Sequence, residues 1–84
     1  VTESVEVKRL RWHSRRGMLE LDVLLLPFVD HAYSDLSPER QQAYAQLLEC
    51  EDSDLFAYFL ERQIPADDAL ADIVEVVLAH ARQA

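Results

Sequence analysis

The chain has 84 residues, half of them apolar and 29% charged, with one glycine, one cysteine and a net charge of −8. That length holds one domain with a small core, and one cysteine excludes an intrachain disulfide. The longest apolar run, Val23–Val29, contains Pro27 and is seven residues long, far short of the roughly 20 that cross a bilayer.

The charge is lopsided. Residues 1–16 carry five of the eight basic residues (Lys8, Arg9, Arg11, Arg15, Arg16) against two acids, a balance of +3, while residues 17–84 carry three against fourteen, a balance of −11. Such a body repels nucleic acid over most of its surface, and the basic stretch reads as a solvated helix face. Nothing near Val1 has the apolar stretch behind basic residues that marks a secretory leader. A lone cysteine fits a reducing compartment, so the cytoplasm is the expected location.

Breaks fall at Gly17, Ser37-Pro38, Asp52-Ser53-Asp54 and Pro65, and divide the chain into five helical segments. The first, about residues 3–14, places Val7, Leu10 and Ser14 on one side, with Trp12 as an aromatic anchor and Gly17 ending the pattern. The second, about residues 18–33, is apolar almost all round, which predicts a place in the middle of a bundle. Pro27 removes one of its backbone hydrogen bonds and predicts a kink. The third starts with Ser37 as N-cap, Pro38 at the first helical position and Glu39 in the first turn. Its buried stripe is Ala43, Tyr44, Leu47 and Leu48. The fourth opens at Asp52 or Ser53 and buries Leu55, Phe56, Phe59 and Leu60. The fifth starts at Asp67 or Asp68, and Leu70, Ile73, Val74, Val77, Leu78 and Ala81 repeat at helical spacing. The predicted fold is all-α, a compact bundle of five short helices forming one domain over residues 1–84.

Catalytic patterns are scarce. Cys50 lies in no motif and reads as a small core residue. His13, His31 and His80 lack metal-ligand spacing, so no metal site is expected. Asp67-Asp68 is explained by a helix start, and one glycine cannot build a phosphate-binding loop. The expectation is a binding protein without catalytic residues. An enzyme would need a substrate-sized pocket lined by Cys50 or a histidine.

One cluster exceeds the needs of folding. Arg15-Arg16-Gly17-Met18-Leu19-Glu20-Leu21-Asp22 places two guanidinium groups, the only glycine and two carboxylates within eight residues. In a purely structural account, Gly17 turns the chain, Glu20 favours the first turn of the second helix, and Arg16 pairs locally with Glu20, worth about 0–1 kcal/mol. In a functional account the same residues face outward. Gly17 lets a partner's backbone approach, the arginines clamp carboxylates, and Glu20 and Asp22 receive cations.

Arg16, Gly17 and Glu20, with Arg15 and Asp22 beside them, resemble the R-G-x-x-E signature of the SdhE family of FAD assembly factors. Trp12, Leu26-Pro27-Phe28, His31-Ala32-Tyr33, Leu47-Leu48-Glu49-Cys50 and Asp52-Ser53-Asp54-Leu55-Phe56 extend the likeness over about residues 9–62. Tyr58 stands where the family often has an indole, and Leu19 where it often has a polar residue.

The resemblance implies a five-helix protein without catalytic groups that binds the flavoprotein subunit of succinate dehydrogenase, and in bacteria often that of fumarate reductase. It implies help with covalent attachment of FAD to a client histidine. The FAD belongs to the client, and no cofactor is held by the factor itself. Arg15, Arg16, Gly17, Glu20 and Asp22 become the expected partner-binding residues. Relatives have also carried an antitoxin label (CptB), which makes toxin neutralisation the alternative reading.

Overall fold

The computed structural model describes residues 5–83, leaving aside the side chains of residues 6 and 7. Five α-helices follow in order: α1 (Val5–Ser14), α2 (Leu19–His31), α3 (Pro38–Leu47), α4 (Asp52–Phe59) and α5 (Asp68–Arg82), with one 3-10 turn, Tyr33–Asp35, between α2 and α3. No strand occurs among the described residues. The expected all-α bundle of five short helices is therefore the observed fold.

Local chemistry sets the helix ends. The Ser37 hydroxyl accepts from the Arg40 N–H and Pro38 takes the first helical position of α3, where its missing donor costs nothing. The Asp67 carboxylate caps α5 by accepting from the Ala69 and Leu70 N–H groups. Helix α4 opens at Asp52, as expected, and Glu51 in the N-cap position makes no side-chain cap bond. That helix ends in a Schellman motif without glycine. The Glu61 N–H bonds the Tyr58 carbonyl, the Arg62 N–H bonds the Ala57 carbonyl, and Glu61 sits at a φ of 60°, a conformation that usually favours Gly or Asn.

Burial follows the helical stripes. Ala43, Tyr44, Leu47 and Leu48 of α3 and Ile73, Val74, Val77 and Leu78 of α5 are in the core, as are Leu21, Leu25, Phe28 and Val29 of α2. Truncating a fully buried leucine such as Leu25 to alanine costs about 2–5 kcal/mol. Helix α2 packs against α1, α4 and α5, while α3 packs against α5.

Several expectations need correction. Helix α2 is central without being enclosed, because Leu19 and Val23 face water. It runs through Pro27 and ends before Tyr33, which belongs to the 3-10 turn. Trp12 is no anchor, since its side chain is 75% exposed; Leu10 and Ser14 seat α1 on the core in its place. Leu60 is exposed because α4 stops at Phe59, before its last apolar residue can turn inward, and Phe56 and Cys50 are half-buried. The start of the first segment at residue 3 and the side chain of Val7 lie outside the described residues.

Candidate partner-binding site

The loop between α1 and α2 is fixed from both sides. Ser14 closes α1 and is fully buried. Its hydroxyl donates to the Leu10 carbonyl at 2.8 Å and lies 2.7 Å from the Tyr44 hydroxyl. A serine hydroxyl has one proton, so Tyr44 donates to Ser14. That bond ties α1 to α3 immediately before the loop begins. Burial pushes the Tyr44 hydroxyl well above the usual tyrosine range.

Two residues of the expected binding set hold the loop instead of facing outward. The Arg16 N–H donates to the Asp22 carboxylate at 2.8 Å, so a residue in the first turn of α2 clamps the incoming backbone. The Arg16 side chain is only 13% exposed. It turns away from Glu20 and reaches the gap between α3 and α4, where its terminal nitrogen donates to the Leu48 carbonyl. Leu48 caps α3, and helix-end carbonyls lack intrahelical donors, so the guanidinium answers a need created by that helix end. Its Nε faces Asp52, the first residue of α4, at 3.6 Å and makes no hydrogen bond. The local Arg16–Glu20 pair expected from the sequence is replaced by this longer reach.

Holding the loop this way leaves its outer side bare. Gly17 adopts a φ of +80°, and a Cβ added there would meet nothing within 4 Å. The positive φ explains why glycine is needed, and the open space means that no neighbour dictates its lack of a side chain. Arg15 and Glu20 are both exposed, and the Arg15 guanidinium rests 6.0 Å from the Trp12 ring centre. Of the five expected residues, Arg15, Gly17 and Glu20 thus face solvent, while Arg16 and Asp22 hold them there.

The remaining chemistry is sparse. Burial chiefly, with Asp54 adding to it, raises the Cys50 thiol above its ordinary value, which disfavours the nucleophilic thiolate. The fold does bring together two histidines that lie far apart in sequence: the His31 and His80 rings are 6.3 Å apart, beside an open depression lined also by Pro27 and Gln83. No carboxylate, thiol or hydroxyl side chain lines it. No group of three or more metal-ligating side chains occurs among the described residues.

Fold and loop together define a small helical protein that presents a bare glycine between exposed charges of both signs. The model of the family described as "Flavinator of succinate dehydrogenase" matches residues 8–81. The FAD assembly factor SdhE of Pseudomonas aeruginosa is 51% identical over 78 residues, covering 93% of each chain. That of Shewanella oneidensis is 49% identical over 79 residues, covering 94% of this chain and 96% of the relative. The solution structure of a UPF0350 protein superposes with a TM-score of 0.77 at 36% identity, covering 98% of this chain and 88% of that one. The chain belongs to the SdhE family of succinate dehydrogenase flavinators.

Proposed function

We propose that this protein binds the flavoprotein subunit of succinate dehydrogenase through the outer side of the α1–α2 loop and the start of α2, from Arg15 to Glu20, and promotes covalent attachment of FAD to that subunit. Family membership supports the client class. The observation that carries the site is Gly17, held at a φ of +80° with open space around it. Chemistry belongs to the client and its FAD, and the factor acts by binding. A binding protein shifts its client's equilibrium only by its differential affinity for the two forms, so the loop must grip the conformation competent for attachment more tightly than the others. The flavoprotein subunit of fumarate reductase is proposed as a second client of the same loop.

The test combines the purified subunit with FAD, with and without this protein, and reads covalent flavin by in-gel fluorescence. Faster appearance of the fluorescent band, together with co-elution of the two proteins, is the expected result. No binding and no acceleration would overturn the proposal, and co-purification of a toxin without any flavoprotein would favour the antitoxin reading.

A further inference from the structure

Six large apolar side chains are exposed among the described residues, and three of them line two hollows that share Arg15: Trp12 at 75%, Leu19 at 73% and Val23 at 57%. Leu19 and Val23 are four apart on α2 and so share a face. A hollow of about 440 Å³ runs beside them, lined by Arg15, Leu19, Asp22, Val23, Leu26 and Pro27. A second, of about 200 Å³, lies among Arg11, Trp12 and Arg15. Arg15 borders both, so the two hollows are neighbours, one at the end of α1 and the other along the outer side of α2.

Each of these side chains leaves more than half of its surface in water, where apolar area is unfavourable. Contiguous apolar surface rimmed by polar groups marks an interaction site more often than scattered exposure does. The charge at these hollows is also distinctive. Asp22 is engaged by the Arg16 N–H, whereas Arg15 lies over the Trp12 ring and pairs with no carboxylate among the described residues. The one outward cation in the larger hollow therefore sits on a chain whose residues 17–84 carry a balance of −11. An acidic segment is repelled by most of this surface and attracted here, and that difference fixes its register.

We propose that Trp12, Arg15, Leu19 and Val23 form a docking strip for an apolar segment of the client that carries a carboxylate. Its apolar side chains cover Leu19 and Val23, its carboxylate reaches Arg15, and Gly17 admits the adjoining backbone. The proposal rests on the function stated above, since it takes the flavoprotein subunit as the client, and it extends the contact from the loop along α2.

The experiment measures affinity of the purified subunit for the full chain and for Leu19→Ser, Val23→Glu, Arg15→Glu and Ile64→Glu. Ile64, 81% exposed on the α4–α5 connection, is the control. The three strip variants are expected to weaken binding about tenfold or more each, with unfolding midpoints unchanged because all three residues are exposed, and Ile64→Glu is expected to bind as wild type. Wild-type affinity in Val23→Glu and Leu19→Ser overturns the strip and leaves the proposed function standing. Failure of the wild-type chain itself to bind the subunit overturns both. Self-association abolished by Val23→Glu, with subunit binding unchanged, assigns the strip to a second copy of this chain and overturns the proposal.

Discussion

The Ser14 and Tyr44 hydroxyls, 2.7 Å apart in the core, bond in a fixed direction, because the Ser14 proton is already committed to the Leu10 carbonyl at 2.8 Å. The two partners are therefore unequal. Ser14→Ala strands the Tyr44 hydroxyl in the core and should cost about 1–3 kcal/mol, whereas Tyr44→Phe leaves Ser14 bonded to Leu10 and should cost about 0.5–1.5 kcal/mol. Urea unfolding of the two variants checks this, and equal costs would reverse the assigned direction.

The same hydroxyl makes the fold sensitive to alkali. Burial raises the Tyr44 value above its ordinary 10.0, so the unfolded chain loses that proton first. Stability is then full below about pH 10 and falls as pH rises through that value. The half-buried Cys50 thiol, also raised chiefly by burial, adds a decline that begins at lower pH. Unfolding free energy measured against pH should fall less steeply above pH 10 in Tyr44→Phe, and an unchanged slope would contradict the burial argument.

Arg16 and Glu20 should behave differently although both belong to one signature. Arg16→Ala removes the donor that reaches the Leu48 carbonyl and frees the loop, so thermal stability and subunit binding should fall together. Arg16→Lys should restore little, because a point cation lacks the planar fork. Glu20→Ala should weaken binding with little change in unfolding midpoint, since the carboxylate is exposed. A large loss of stability in Glu20→Ala with binding intact would make Glu20 a structural residue.

Gly17 separates backbone shape from bulk. Gly17→Asn keeps a residue that tolerates positive φ and should retain the fold and most of the binding. Gly17→Arg adds bulk and about 1–2 kcal/mol of strain, and should abolish subunit binding while far-UV circular dichroism still shows the helices. Normal binding by Gly17→Arg would remove the loop from the interface.

Short-range rules made much of the bundle readable. The Ser37-Pro38 start of α3 and the stripe Ile73, Val74, Val77 and Leu78 in α5 follow from local capping and helical spacing, and both stand in the structure. What the sequence hid was long-range or lacked its usual signal. The contact of Arg16 with the Leu48 carbonyl spans 32 residues, and no periodicity reports it. The meeting of His31 with His80 is of the same kind. Trp12 reads as an anchor because tryptophan is usually well buried, and only the packing of α1 shows that it faces away from the core. The left-handed end of α4 uses Glu61, so the glycine that normally announces such a stop is missing.

The reach of Arg16 to Leu48 and Asp52 means that the α1–α2 loop borrows its shape from a stretch of chain far downstream. A synthetic fragment spanning residues 10–25 would contain every letter of the signature and the Arg16–Asp22 clamp, yet lack the Leu48 carbonyl, Asp52 and Tyr44 that brace the loop from the other side. Substitutions in the α3–α4 corner can therefore reshape the loop from a distance, by letting it relax while Arg15, Gly17 and Glu20 are all still in place.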